Sequence, residues 1–196
     1  MEQKGRELYG SQFRIWPGDY ELICKLLVYA IHDQENAARF NLNLNKGILL
    51  TGPVGCGKTC LMKLMRLFQL QSEQFVLKSC REISFEFIKS GYEVIQKYGS
   101  DSGRYASRSE KPPATYCFDD LGTEQNLKYY GNECNVMGEI LLSRYELFVS
   151  SGALTHLTTN LSASEIESFY GNRVRSRMRE MFNLISFSKD ARDKRK

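Results

Sequence analysis

The stretch GPVGCGKT at residues 52–59 has the residue types and spacing of a loop that holds the phosphate tail of a nucleotide. It fits the pattern GxxxxGK[ST], in which glycines let consecutive backbone N–H groups turn toward phosphate oxygens. Lys58 is expected to reach the β- and γ-phosphates, and the Thr59 hydroxyl is expected to ligate Mg²⁺. The residues that we predict to contact the nucleotide are Gly52, Pro53, Val54, Gly55, Cys56, Gly57, Lys58, Thr59 and Cys60.

A second element with matching chemistry is the acidic end of an apolar run, TYCFDD at residues 115–120. We predict that Asp119 holds Mg²⁺ through water and that Asp120 orients or deprotonates an attacking water. The alternative interpretation is an ordinary acidic turn after a strand. The residues between Lys58 and Asp119 leave room for a further strand and helix, which favours the metal site.

The sequence THLTTN at residues 155–160 places polar side chains at the end of a later apolar run. Asn160 is expected to reach the γ-phosphate and the attacking water if this strand lies beside the loop strand, and Thr159 is the second candidate. Threonine and asparagine are also common turn residues at strand ends. The position of THLTTN after the other two elements in the chain favours the functional interpretation.

Four arginines fall within GNRVRSRMRE at residues 171–180. Arg173 and Arg177 are one helical turn apart and share a face. An arginine supplied to the γ-phosphate of a neighbouring subunit neutralises charge in the transition state and makes hydrolysis depend on assembly. The alternative is a solvated basic helix.

Strand and helix patterns alternate along the chain that carries these residues. Apolar runs that predict strands lie at 46–51, 75–79, 115–120, 153–159 and 184–187, and helical patterns lie at 20–31, 60–70, 82–98, 135–150, 163–170 and 173–181. The alternation predicts an α/β fold with a mostly parallel sheet covered by helices on both faces. We expect one P-loop ATPase domain over residues 1–196, with an irregular lead-in at 1–18 and a basic tail at 188–196.

The composition narrows the classes of protein to which the chain can belong. The net charge of +4 does not indicate a particular class of binding partner. The six cysteines show neither zinc-site nor disulfide spacing. No run approaches the roughly 20 apolar residues of a membrane span, and MEQKGRELYGSQF lacks the apolar segment of a signal peptide. We therefore expect a cytoplasmic protein without a membrane segment.

Five sequence blocks occur in the following order along the chain: GPVGCGKT, FDDLGTE, LLSRYE, LTTN and YGNRVRSRM. Together they resemble the AAA+ ATPases of the DnaC-type helicase-loader group, which includes the IstB-type transposition ATPases. The resemblance covers residues 40–187. GPVGCGKT is generic to P-loop NTPases, whereas the FDDLGTE and YGNRVRSRM blocks are more particular to this group.

The resemblance implies an AAA+ core whose parallel strands lie in the order 5-1-4-3-2. It implies that Asn160 is the sensor 1 residue and that Arg177 is an arginine finger acting in trans, with Arg173 as the alternative. Members of the group bind ATP with Mg²⁺, assemble side by side on single-stranded DNA and load or regulate another protein there. A homo-oligomer in the ATP state, single-stranded DNA and a helicase or transposase are therefore the partners that it implies.

The chain departs from the group's pattern at several points. Most AAA+ proteins carry Asp-Glu where this chain has Asp119-Asp120, so we expect slow hydrolysis, to which Glu124 is a further candidate contributor. The helical lid is reduced or absent, because few residues follow the last predicted strand, and Arg192 is the candidate for a sensor 2 arginine. The N-terminal region is too short for the helicase-binding domain of typical loaders, which favours a reduced relative acting on a mobile element or plasmid.

Aromatic and basic residues mingle in KYGSDSGRYASR at 97–108 and in NLKYYGN at 126–132, as in surfaces that stack bases and neutralise phosphates. ATP-dependent binding to single strands is the corresponding prediction. Two other functions compete with a loading ATPase. One is a nucleotide-switched binding module with little turnover, and the other is a small-molecule P-loop kinase.

Overall fold

The computed structural model describes residues 1–100, 113–124, 127–129 and 132–195. Its central sheet consists of β1 (Gly47–Thr51), β2 (Val76–Ser79), β3 (Tyr116–Leu121), β6 (Thr155–Thr159) and β7 (Phe182–Ser186). A separate antiparallel pair, β4 (Leu127–Tyr129) and β5 (Asn132–Cys134), follows β3 in the chain.

The strands of the central sheet are all parallel and lie in the order β2-β3-β6-β1-β7. Numbered among themselves, they have the order 2-3-4-1-5, which is the predicted order 5-1-4-3-2 counted from the opposite edge. The predicted sheet is therefore confirmed. Because β6 lies between β1 and β3, the ends of all three strands meet at the carboxyl edge of the sheet, where ligands bind in folds of this kind.

Helices connect these strands and cover the sheet. In the described residues they are α1 (Glu2–Tyr9), α2 (Tyr20–Ala30), α3 (Gln34–Arg39), α4 (Lys58–Arg66), α5 (Cys80–Ser90), α6 (Glu93–Gly99), α7 (Val136–Ser151) and α8 (Ala163–Met181). Short 3₁₀ turns lie at Pro17–Asp19 and Gln71–Glu73.

The hydrophobic core consists of two clusters, one on each face of the sheet. Successive strand residues point to opposite faces, and β1 shows the result. Ile48 and Leu50 pack against α2 and α4, whereas Leu49 belongs to the cluster formed with α5, α6, α7 and α8. The prediction of helices on both faces is confirmed.

The N-terminal region differs from the predicted irregular lead-in, because Glu2–Tyr9 form α1. The Glu2 carboxylate accepts hydrogen bonds from Arg6 Nη2 at 2.5 Å and from the backbone N–H of Ile15 at 2.9 Å. The prediction was wrong because EQKGRELY has no apolar periodicity. Contacts with the following segment stabilise this helix, and local pattern does not reveal them.

Two glycines set helix boundaries. The sequence analysis predicted one of these boundaries and missed the other. The single helix predicted over residues 82–98 is wrong, since Gly91 adopts φ 58° and separates α5 from α6. Gly171, with φ 83° and ψ 163°, interrupts α8 between the two helices predicted at 163–170 and 173–181. Positive φ is readily accessible only to glycine, which explains both breaks.

Within the described residues, none of the helices has the length and apolar character needed to cross a bilayer. Of the two aromatic and basic segments predicted to contact nucleic acid, residues 101–108 of the first (97–108) and residues 126, 130 and 131 of the second (126–132) lie outside the described residues.

Candidate nucleotide site

The phosphate loop joins the end of β1 at Thr51 to the start of α4 at Lys58. Gly57 precedes the helix with φ 102°, in the left-handed region, which lets the chain turn directly into α4. The first N–H groups of a helix lack internal partners and lie at its positive end. The start of α4 therefore offers an anion-binding position next to the loop.

Lys58 links the loop to the neighbouring strand. Its Nζ donates to the backbone oxygens of Gly52 and Pro53, each at 2.9 Å, and to Oδ1 of Asn160. Asn160 reaches this position because β6 pairs with β1, with Thr51 opposite Thr159. Tertiary pairing thus brings together two residues that are far apart in the sequence.

Thr59 and Asp119 meet beside Lys58. The Thr59 hydroxyl lies 3.0 and 2.9 Å from the two carboxylate oxygens of Asp119. Hydroxyl and carboxylate oxygens suit Mg²⁺, which is commonly held by one or two protein ligands together with water and phosphate oxygens. The pair therefore fits the predicted metal position, and the described residues contain no cluster of three or more His, Cys, Asp or Glu side chains suited to a metal ion.

Thr158 supports the acidic pair, and the sequence analysis did not identify it. Its hydroxyl donates to Asp119 Oδ1 at 2.6 Å and accepts from the backbone N–H of Asp120 at 2.8 Å. The signal in the sequence was the run of polar residues in THLTTN, which we assigned to Asn160 and Thr159 alone. Thr159 instead donates to the carbonyl of Leu121 at 2.7 Å.

Asp120 lies at an irregularity in β3. The pairing with β6 shifts register between Phe118 and Leu121, and Asp120 adopts φ 57° within this shift. Burial and the neighbouring Asp119 raise the pKa of its carboxyl group, while the field of Lys58 acts in the opposite direction. Asp120 therefore lies in the same group of charges as the loop lysine.

Glu124 has a partner of its own. It accepts hydrogen bonds from the backbone N–H of Gly122 at 2.9 Å and from the Tyr170 hydroxyl. Burial and the adjacent Glu124 raise the pKa of Tyr170. Glu124 thus ties the turn after β3 to the first half of α8.

A cavity of about 810 Å³ opens beside the loop, a volume within the usual range for small-molecule sites. The N-terminal region and α2 supply much of its wall, and Gly55, Gly57 and Cys60 supply the side next to the phosphate loop. Its apolar and aromatic lining includes Tyr9, Phe13, Ile15, Trp16, Ile23 and Leu61. Sequence reasoning missed this cavity, because we assigned the aromatic residues before position 18 to an irregular segment.

The structure does not bring Arg173 and Arg177 to the phosphate loop of their own chain. The second half of α8 runs toward the amino edge of the sheet, where Lys46 Nζ donates to the backbone oxygen of Arg179 at 3.3 Å. Lys46 immediately precedes β1, whereas the phosphate loop follows it. Five residues of strand span about 16 Å, so the C-terminal end of α8, which includes Arg177 and Arg179, lies at the edge opposite the loop.

Arg177 is held in a defined position on α8. Its guanidinium lies 4.3 Å from the ring centre of Tyr145, and Nη1 donates to the Tyr145 hydroxyl at 3.1 Å. The same nitrogen lies 3.4 Å from Glu180. The Arg177 side chain is 38% exposed, so another molecule can reach it. Arg173 is exposed on the same helix.

Arg192 is exposed and lines a smaller cavity with Trp16 and Ser188. Lys194 and Arg195, which the sequence analysis did not single out, line the larger cavity next to the loop. Among the described residues, Lys194 and Arg195 are therefore C-terminal cations that lie beside the phosphate loop.

Neither a protein-family model nor a curated protein matches the sequence, but solved structures do. The DnaC helicase loader superimposes with a TM-score of 0.58 at 17% identity, over 91% of this chain and 95% of that chain. A putative primosome component from Streptococcus pyogenes gives 0.61 at 16% identity, over 98% and 92% of the two chains, and DnaI gives 0.52 at 19% identity, over 82% and 84%. The fold is that of the DnaC-type AAA+ proteins. The recognition of this fold from five sequence blocks is confirmed, and the similarity to these three structures covers 82–98% of this chain.

Proposed function

We propose that the protein is a Mg²⁺-dependent ATPase that assembles on single-stranded DNA to load or regulate a replication or mobile-element protein. The observation that carries the proposal is the convergence of Lys58, Thr59, Asp119 and Asn160 at the carboxyl edge of the sheet. These side chains come from three strand ends, and they match the chemistry of a triphosphate with its metal ion.

Each residue of this group has a distinct part in the proposal. Lys58 and the loop amides bind the β- and γ-phosphates. Thr59 and Asp119 hold Mg²⁺, which when bound offsets the negative charge of the phosphates. Asp120 orients or deprotonates the attacking water, and Asn160, already in contact with Lys58, aligns that water with the γ-phosphate. The apolar cavity between the N-terminal region and the loop accommodates the base.

Hydrolysis in this proposal requires a second copy of the chain. The transition state needs a cation beyond Lys58, and Arg177 is preorganised by Tyr145 and Glu180 at the edge of the sheet opposite its own phosphate loop. A neighbouring subunit that places Arg177, or the nearby Arg173, at the γ-phosphate completes the site. Side-by-side assembly along single-stranded DNA, with a helicase or transposase as the regulated protein, follows from the resemblance to the loader group.

The experiment that tests the proposal measures ATP turnover with and without single-stranded DNA, together with the solution mass in the presence of a non-hydrolysable ATP analogue. We expect slow turnover that DNA stimulates and a mass that increases with the analogue. Asp120→Asn should bind ATP and lose turnover. Tight binding with negligible turnover in every condition would contradict the ATPase and favour a nucleotide-switched binding module. Phosphate transfer to a metabolite would favour a kinase.

A further inference from the structure

The segment from Ser188 to Arg195, here called the C-terminal strap, follows β7 and lies against the phosphate loop. The backbone N–H of Lys194 donates to the carbonyl oxygen of Gly55 at 3.0 Å. The Asp193 carboxylate occupies the space beside the Cα atom of Gly55, because a Cβ atom added there would lie only 2.2 Å from Asp193 Oδ1. The strap therefore covers the turn of the loop with a carboxylate.

A largely buried ion pair holds the strap in this position. The Lys194 ammonium group pairs with the Asp19 carboxylate, and their side chains are only 21% and 12% exposed. The same ammonium group lies 4.6 Å from the ring centre of Phe187. Removing one partner of a buried pair leaves an uncompensated charge, so this contact is a strong local restraint.

Arg195 fixes the orientation of the carboxylate. Its Nε and Nη2 donate to the two oxygens of Asp193 at 3.0 and 2.8 Å, and its backbone N–H donates to Oδ1 at 3.0 Å. A bidentate arginine contact defines the plane of a carboxylate as well as its position. Asp193 is thus presented to the loop in one geometry.

We propose that the strap is an internal ligand of the phosphate loop, and that a nucleoside triphosphate must displace it in order to bind. The inference rests on the proposed nucleotide site and adds a regulatory contact to it. A triphosphate brings several negative charges to the loop, where the Asp193 carboxylate already lies, and like charges at contact distance disfavour each other. The apparent affinity for ATP then equals the intrinsic affinity multiplied by the fraction of molecules in which the strap is open.

Hydrogen exchange followed by mass spectrometry tests the displacement directly in the full chain. Saturating Mg²⁺ and a non-hydrolysable ATP analogue should increase exchange in the peptide that contains Lys194, while α4 becomes more protected. Ligand binding that left the strap in place would leave its exchange unchanged or lower it. Either of those results would overturn the inference.

Calorimetric titration with ATP tests the energetic consequence. Asp193→Asn should tighten ATP binding by about tenfold, because the internal competitor is weakened. Asp190→Asn is the matched control, since it removes one negative charge from an exposed position of the same strap. Equal effects of the two variants would mean that net charge alone is responsible, and would overturn the strap proposal.

The two proposals fail in different ways. If neither the unmodified chain nor Asp193→Asn binds ATP, the proposed nucleotide site is wrong. The strap proposal, which rests on that site, is then wrong as well. If both bind ATP with equal affinity and exchange at Lys194 does not rise, the nucleotide site stands and the strap proposal is wrong.

Discussion

The two edges of the central sheet both contain buried polar side chains, but they use them differently. At the carboxyl edge, Lys58, Thr59, Asp119 and Asn160 contact one another around a loop that opens into a cavity. At the amino edge, His156 accepts a hydrogen bond from the backbone N–H of Ile48 at 3.0 Å. The first group forms the proposed nucleotide site, and the second completes the backbone hydrogen bonding of the fold.

Two further side chains at the amino edge follow the same structural pattern as His156. Arg144 is buried and donates to the carbonyl of Leu154 at 2.6 Å and to the Thr155 hydroxyl at 2.9 Å. The Asn183 amide spans backbone oxygens of residues 43, 46 and 47. Buried polar groups need partners, and here main-chain atoms provide most of them. These three residues therefore have a structural part at the amino edge, whereas the proposed site at the carboxyl edge also pairs side chains with side chains.

The largest expected effect is at Arg177, which lies at the amino edge but is proposed to act at the phosphate loop of a neighbouring subunit. Arg177→Ala should reduce assembly-stimulated ATP turnover by about 10³-fold, since an arginine finger supplies charge in the transition state. ATP affinity of the isolated chain should not change, because Arg177 lies far from its own loop. Steady-state turnover at increasing protein concentration measures the effect, and Arg179→Ala is the control. A variant that fails to fold would instead show that the contacts of Arg177 with Tyr145 and Glu180 are structural.

At the carboxyl edge, Lys58→Ala should weaken ATP binding by at least about 100-fold, because it removes the side-chain cation expected at the β- and γ-phosphates. Isothermal titration calorimetry measures the change. Lys63→Ala is the matched control, since Lys63 is exposed on the same helix and should leave affinity unaltered. Unchanged affinity in Lys58→Ala would remove the basis for calling this edge a nucleotide site.

At the amino edge, the prediction concerns His156 and the dependence of the free energy of unfolding on pH. Burial, together with nearby Arg144, lowers the pKa of His156 to about 3. A histidine whose pKa is depressed on folding stabilises the protein fully above its unfolded pKa of about 6.5, and this contribution is lost as pH falls toward the folded value. The free energy of unfolding should therefore decrease by about 2 kcal/mol between pH 6.5 and 5.

Chemical denaturation at several pH values measures this dependence. His156→Gln should flatten it, whereas His32→Gln should not, because the His32 side chain is 46% exposed and makes a peripheral contact with Glu73. The two residues are the full histidine complement of the chain. An unaltered pH profile in His156→Gln would show that acid sensitivity originates elsewhere.

The smallest effect is expected at Thr158, which connects the proposed metal ligand Asp119 to β6. Thr158→Val preserves shape but removes the donor to Asp119 and the acceptor for the Asp120 N–H. Loss of an outer hydrogen bond of this kind typically weakens metal affinity by about tenfold or more. The Mg²⁺ concentration needed for half-maximal ATP binding measures the change. A shift in melting temperature without a shift in that concentration would assign Thr158 to the structural group.

Much of this carboxyl edge was predictable, because its residues follow local rules. The glycines of 52–59 and the lysine after them are dictated by the shape of a phosphate loop, and the acidic pair at the end of TYCFDD marks a strand end. The strands at 46–51 and 153–159 were identified from continuous apolar runs, which is the signature of a buried parallel sheet. The pairing order came from resemblance, and the structure confirms it.

The missed features share a different cause. Thr158 is one polar residue among several at a strand end, and only the pairing of β6 with β3 selects it over Thr159. The helix α1 depends on contacts with the segment that follows it, and Tyr9 and Trp16 line one cavity with residues of the phosphate loop, which no local periodicity encodes.

The sequence by itself determined the chemistry of this protein: a phosphate loop, an acidic strand end and a run of alternating strands and helices, all properties of short segments. Only the tertiary structure decided which polar groups meet, that Arg177 lies at the edge opposite its own loop, and that the segment with Asp193 and Lys194 lies against Gly55. The physical reason is that residue type and periodicity act over a few positions, whereas contact between distant segments is set by how the strands pair and the helices pack.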